Sequence, residues 1–144
     1  MGVKLFSQDT KVEALKRTPL FAELSRKELE ELAKMTEDLE VEAGKVLCRQ
    51  GDLGREFFVI LEGEVEITRD GKPVEQRGGG DFFGELALVE NVRRMATLTA
   101  KTPLRFFVLT SQSFHHLMDQ NPEVERKVLR ALVKRLVALL EPQL

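Results

Sequence analysis

Apolar positions change their period twice along the chain, which divides it into three stretches. Val12 and Leu15 sit at helical spacing and are closed by Thr18-Pro19, since a residue before proline avoids the helical region. Ser25-Arg26-Lys27-Glu28 then reads as a capping box, in which the serine hydroxyl and the Glu28 carboxylate each satisfy one orphan amide. The helix it opens carries Leu29, Leu32 and Ala33 on one face and Glu30, Glu31 and Lys34 on a solvated one. From Asp38 to Thr110 the pattern shortens to strands at Leu39/Val41, Val46–Cys48, Phe57–Leu61, Val65/Ile67, Met95/Leu98 and Leu104–Leu109. Glycine turns separate them, and Asp70-Gly71 predicts a two-residue hairpin because both residues tolerate positive φ. Short strands at near-regular spacing predict a small barrel or sandwich. Ser111 or Ser113 is then placed to cap a short helix through Phe114, Leu117 and Met118, ended at Asn121-Pro122. Glu123 begins a long helix whose Leu129, Leu132, Leu136 and Leu139 imitate a coiled-coil seam. The expected class is α+β, mainly β, in one domain spanning residues 1–144. Its parts are a helical segment over 10–36, a β-roll over 37–110 and C-terminal helices over 111–141.

Composition narrows the function. A length of 144 residues suits one domain. Lys and Arg number 22 against 24 Asp and Glu, a net charge of −2, which argues against a nucleic-acid clamp. No apolar run approaches the ~20 residues of a membrane span, and the N-terminus lacks a signal-peptide core. Cys48 is the single cysteine, so no internal disulfide forms and a reducing, cytoplasmic setting is expected. Nine Phe with no Trp and no Tyr favour core packing over a base-stacking surface.

Chemistry concentrates in residues 78–100. Glycines lead through Gly84 into a short helical turn over Glu85–Leu88, before a strand expected to start near Arg94. Free amides at a helix N-terminus bind phosphate, and an arginine ten residues after Gly84 can fork onto the same anion. Glu85 is an acceptor suited to a sugar hydroxyl. The competing reading, a structural Arg–Glu pair on an ordinary glycine turn, stays open on these grounds alone.

Phe83-Gly84-Glu85-Leu86-Ala87-Leu88 followed by Arg94-Met95-Ala96-Thr97 resembles the phosphate-binding cassette of the cyclic nucleotide-binding domain family. Gly44, Gln50-Gly51-Asp52, Phe57–Ile60 and Gly63-Glu64-Val65 resemble its strand and turn signature, and Leu20-Phe21 and Leu104–Leu117 also fit. The likeness spans residues 15 to 140. It implies an eight-stranded β-roll of jelly-roll type with N-terminal helices and two C-terminal helices. It also implies a ligand-binding set of Gly84, Glu85, Leu86, Ala87, Arg94, Met95, Ala96 and Thr97. Within that set Arg94 pairs with the cyclic phosphate and Glu85 accepts the ribose 2′-hydroxyl. Amides of Leu86 and Ala87 complete the phosphate cradle, Thr97 lies on the strand behind, and Gly84 is small because the ribose lies against it. Val46 and Leu61 are weaker candidates for apolar contact.

The chain departs from the family pattern at three places. Asn91-Val92-Arg93 replaces the small-Thr-Pro tip usual in kinase-type cassettes. Met95 stands where members that prefer cGMP often bear a hydroxyl, which favours cAMP. The long helix has no aromatic residue to cap the base, leaving Arg126, Arg130, or a lid of Leu129 and Leu132 as candidates. The resemblance implies a non-catalytic cyclic nucleotide sensor, with cAMP ahead of cGMP as ligand, that signals by moving its C-terminal helices. Its partners would be an effector protein or domain, and a second copy bound through the long helix, with no direct nucleic-acid binding and no membrane insertion. The family's transcription factors continue into a helix-turn-helix, for which no room remains before Leu144. A stand-alone sensor or a piece of a longer protein is therefore expected. The alternative is a nucleotide-independent interaction or dimerisation module of the same fold. Catalysis is not expected, nor a metal or cofactor: His115 and His116 are adjacent on a helix, no metal-ligand motif is present, and Cys48 reads as a core thiol.

Overall fold

The computed structural model describes residues 4–143. Helix α1 (Gln8–Lys16) is followed by a 3-10 turn at Pro19–Phe21 and helix α2 (Arg26–Met35). Eight strands come next: β1 (Glu37–Val41), β2 (Val46–Cys48), β3 (Glu56–Glu62), β4 (Glu64–Arg69), β5 (Lys72–Gly78), β6 (Phe82–Phe83), β7 (Thr97–Ala100) and β8 (Leu104–Thr110). A 3-10 turn over Glu85–Leu88 separates β6 from β7, and helices α3 (Ser111–Gln120) and α4 (Pro122–Leu140) close the chain. The strands form two four-stranded antiparallel sheets, in the orders β1-β8-β3-β6 and β2-β7-β4-β5.

The long apolar runs of β3 and β8 have a direct cause. These strands pair at the centre of one sheet, with Phe58 opposite Val108 and Val59 opposite Phe107, and are buried on both faces. Phe57, Val59, Phe107 and Leu109 face the helices and join a core with Leu15, Phe21, Leu32, Phe114 and Val128. Their alternates Phe58, Ile60, Phe106 and Val108 face into the roll with Val65, Ile67, Leu98 and Leu104. Each fully buried side chain of this size contributes roughly 1.5–3 kcal/mol over exposure. Six of the nine phenylalanines are buried, so phenylalanine serves the core here.

The expected capping box forms: Glu28 N donates to Ser25 Oγ at 3.2 Å, and Ser25 N donates to Glu28 Oε1 at 2.8 Å. The Asp70-Gly71 hairpin forms with φ of 53° and 78°. Both C-terminal helices start one residue away from expectation. Thr110, not a serine, caps α3, its hydroxyl accepting from Ser113 N at 3.1 Å. Asn121 caps α4 with Pro122 in the first turn, a position where the missing proline amide costs no hydrogen bond.

The seam on α4 also differs. Leu132 packs against the helical core, while Leu129 (61% exposed), Val133 (51%), Leu136 (55%) and Leu140 (40%) form the open stripe. Val124, Val128 and Ala131 hold the helix to the domain. Of the expected seam only Leu132 is withdrawn: Leu139, 73% exposed, stays open, and 129/133/136/140 is a second line at coiled-coil spacing within the same exposed face.

Candidate functional site

Two loops meet at the mouth of the roll. Residues 50–54 run antiparallel to 92–94: Gly54 N donates to Val92 O and Arg94 N to Asp52 O, both at 2.8 Å. Because 92–94 pair with this loop, the chain joins β4 only from Thr97, opposite Thr68. The strand expected from Arg94 thus starts three residues later, and Arg94 precedes the bend at Met95 and Ala96 that leads into it.

Two glycines flank the Arg94 guanidinium. A Cβ at Gly54 would lie 3.1 Å from its Cζ and 3.0 Å from the Ala87 Cβ. A Cβ at Gly84 would overlap Arg94 Nη1 and come within 2.8 Å of the Glu56 carbonyl. Gly84 also has φ +84°, a left-handed conformation that side chains resist. The structure thus gives Gly84 a reason to be small that does not involve the sugar. Within this slot Arg94 Nη2 donates to Glu56 O at 2.7 Å, and its Cζ lies 5.3 Å from the Phe58 ring centroid. One edge of the guanidinium is anchored and the rest faces the cavity.

The turn after Gly84 is a four-residue 3-10 turn, so it offers individual amides rather than a macrodipole. Its first hydrogen bond runs from Ala87 N to Gly84 O at 3.1 Å. The amides ahead of that bond belong to Glu85 and Leu86. Of the two amides the resemblance implied, only that of Leu86 lies outside the turn's own bonding.

These groups border a cavity of about 370 Å³, within the ~300–1,000 Å³ typical of small-molecule sites. Gly84, Glu85, Leu86, Ala87, Arg94, Met95 and Ala96 all line it. Thr97 does not: its hydroxyl accepts from Gln50 N at 2.9 Å and ties the 50–54 loop to β7. Val46 and Leu61 are also outside the lining, and Leu61 packs against the helical core. Cys48 is half-buried and lines the cavity, so it is more than a core thiol. Burial pushes its thiol above the ordinary range, against an opposing pull from the Arg94 charge. Arg69, Arg77, Arg93 and Arg94 face Glu75 and Glu85 around the lining, a balance that favours an anion. Arg93 donates from Nη1 to Gly51 O at 2.8 Å.

Glu85 is a junction. One carboxylate oxygen accepts from Arg135 Nη1 of α4 at 2.5 Å, and the other from Leu20 N at 3.4 Å. The residue is 7% exposed, so the carboxylate ties the cassette to both helical ends of the chain. No described residue of α4 lines the cavity. Arg126 instead pairs with Glu123 within its own helix at 2.7 Å. Sequence reasoning missed Arg135 because the pairing spans fifty residues and leaves no local pattern. It also missed Glu75 and Arg77, whose place in the cavity follows from pairing between strands. Among the described residues no cluster of His, Cys, Asp and Glu is placed to hold a metal, and no helix is long and apolar enough to cross a membrane.

The chain is 35% identical over 117 residues to a cyclic nucleotide-gated potassium channel of Rhizobium etli, covering 81% of this chain and 33% of the channel. It is 33% identical over 118 residues to a cAMP-dependent protein kinase regulatory subunit of Schizosaccharomyces pombe, covering 81% of this chain and 29% of the subunit. The chain thus spans about a third of the length of these curated relatives. The N-terminal domain of a transcriptional regulator from Streptomyces coelicolor shares the fold, with a TM-score of 0.80 at 30% identity. That match covers 91% of this chain and 95% of the solved one. The family model described as "Cyclic nucleotide-binding domain" matches residues 38–121, the whole span from β1 to the end of α3, and the chain belongs to that family.

Proposed function

We propose that this domain is a non-catalytic sensor that binds cAMP in preference to cGMP and acts in the cytoplasm by moving its C-terminal helices. The carrying observation is the Arg94 slot. A guanidinium held between Gly54 and Gly84, beside the free amides of Glu85 and Leu86, offers a charged fork and two N–H donors to one phosphate. Met95, which has no hydroxyl for a guanine amino group, supports cAMP, as do the relatives named as cAMP-dependent kinase subunits. Truncating a desolvated charge contact of this kind costs roughly 2–5 kcal/mol. Arg94→Ala is therefore expected to weaken cAMP at least tenfold in calorimetry. Arg93→Ala, whose side chain already serves Gly51, is expected to change affinity less than threefold. Unchanged affinity in Arg94→Ala would overturn the assignment.

Transmission runs through Glu85. An ionised carboxylate has about four acceptor positions, so a ribose hydroxyl and Arg135 can share it. A ligand that polarises or reorients this carboxylate changes how tightly α4 is held, and the two arrangements of α4 then differ in ligand affinity. The effector is a protein or domain that reads α4.

The open 129/133/136/140 seam supports a second reading, self-association with or without nucleotide. With Leu129 and Leu136 at one core position and Val133 and Leu140 at the other, it alternates a β-branched residue with leucine along the seam, in the sense that favours parallel pairs. A second copy of this chain, docked along α4, is the proposed occupant.

A further inference from the structure

We propose that a second cavity, beside the segment that precedes α1, is a separate ligand site for a small organic anion with an apolar body: a short carboxylate or phosphate monoester. Its volume is about 380 Å³, and it shares no lining residue with the cavity at the mouth of the roll. Four parts of the chain wall it: the segment before α1, the first turn of α1, the last turn of α2 and the start of β1. The site stands whether or not the first cavity takes a cyclic nucleotide.

A buried carboxylate holds this cavity open. Asp38 Oδ2 accepts from Leu5 N at 2.7 Å and from Phe6 N at 3.1 Å, and Asp38 Oδ1 lies 2.6 Å from Lys11 Nζ. The Asp38 side chain is 1% exposed and that of Lys11 12%, and charges this deep persist only when paired. Two backbone donors and one ammonium thus pin the segment before α1 to β1. Phe6 is anchored a second time, its ring centroid 6.4 Å from that of Phe107. A segment fixed by both backbone and side chain is kept from collapsing into the space beside it. The cavity is therefore preformed, as small-molecule sites usually are.

The lining chemistry sets the ligand class. Lys11 and Asp38 cancel in charge, but an ammonium carries three donors and Asp38 engages one of them at most. Lys4 and Lys34 bring two more ammonium groups from two different parts of the chain. Among the described residues the ion-paired lysines are Lys11, Lys127 and Lys134, so Lys4 and Lys34 keep their charge for the cavity. Glu37 is the one opposing carboxylate left in the lining. Three lysines against two acids leave one positive charge in surplus, which draws anions into a cleft with low-dielectric walls. Phe6 and Ala33 add an apolar wall. A neutral ligand would leave the lysines unanswered, and a bare inorganic ion would leave that wall unused.

Amide NMR titration of the full chain with phenyl phosphate, benzoate, inorganic phosphate and benzyl alcohol tests this. Shifts at Leu5, Phe6 and residues 34–38 report the second cavity, and shifts at residues 84–87 report the first. Phenyl phosphate and benzoate are expected to saturate the first group of amides in the millimolar range, at least tenfold more tightly than inorganic phosphate or benzyl alcohol. Lys34→Glu should weaken phenyl phosphate at least tenfold. Lys101→Glu, the same charge change outside the lining, should alter it less than twofold. An equal response to benzyl alcohol overturns the site, as does unchanged affinity in Lys34→Glu or an equal loss in Lys101→Glu. Absence of any saturable shift at residues 34–38 overturns it too, and shifts confined to residues 84–87 then assign the probes to the first cavity alone.

Discussion

Arg94 reaches the cavity because two residues without side chains leave it room, and substitution can separate that space from backbone conformation. Gly80 has φ +96° with nothing near its missing Cβ, whereas Gly84 has φ +84° and Arg94 against it. Gly80→Ala is expected to cost only the left-handed conformation, ~1–2 kcal/mol. Gly84→Ala should cost at least ~1 kcal/mol more from overlap, and should weaken cAMP as Arg94 is displaced. Denaturant unfolding of the two variants with calorimetry measures both terms, and equal costs would mean that Arg94 does not occupy the slot. At Glu85 the test is chemical. 2′-Deoxy-cAMP should bind the wild type more weakly than cAMP, and that penalty should shrink in Glu85→Gln, where the acceptor charge is gone. Equal penalties would leave Glu85 as a tie between helices only. Cys48, raised by burial against the Arg94 pull, holds little thiolate at neutral pH. A disulfide reagent should label it more slowly than a free thiol, and more slowly again with cAMP present.

Among the elements, α4 is the least decided by its own sequence. Its leucines satisfy a seam in either of two registers one residue apart, because 3.6 residues per turn lets a wide apolar stripe face two ways. Packing of Val124, Val128 and Ala131 on the domain chose between them. Leu132 was turned towards the core and Val133 towards solvent. Leu132→Ala should therefore destabilise the monomer by ~1–3 kcal/mol, below the fully buried range. Leu136→Glu should leave that stability unchanged and abolish self-association in sedimentation. Sedimentation of the wild type as a monomer at every micromolar concentration overturns the second copy on α4. The hairpin at Asp70-Gly71 and the capping box of α2 behaved oppositely. Each is a local device whose partners lie within four residues, and each formed where the sequence placed it.

Across the whole molecule, α4 is bound to the N-terminal helices and the cassette through Lys127–Glu28 at 2.8 Å, Lys134–Glu23 at 3.1 Å and Arg135–Glu85. Burial acts to raise the Glu28 carboxyl, but hydrogen bonds from Lys127 and Ser25 outweigh it and hold the group below its ordinary 4.5. A depressed carboxylate stabilises the fold fully above its ordinary value and loses that contribution as pH falls through the lowered one. Glu28→Gln should accordingly be less stable than the wild type at neutral pH, with the difference closing below pH 4.5. Thermal unfolding across pH 3–7 in both proteins checks this, and a constant difference would contradict it. The sequence alone determined the helix–strand–helix order, the apolar runs that became β3 and β8, the hairpin, the caps within a residue, and the cassette that carries Arg94 and Glu85. All of these follow from periodicity, turn chemistry or contiguous motif, which act over a few residues. Tertiary structure alone decided that Arg94 lies between Gly54 and Gly84, that Arg135 shares Glu85, and that the α4 seam runs through Val133. It also placed Glu75 and Arg77 at the rim of the cavity, where both stay partly open to solvent. Each of these is a meeting of segments far apart in the chain, set by strand register and helix docking, and neither has a local signature for a sequence to display.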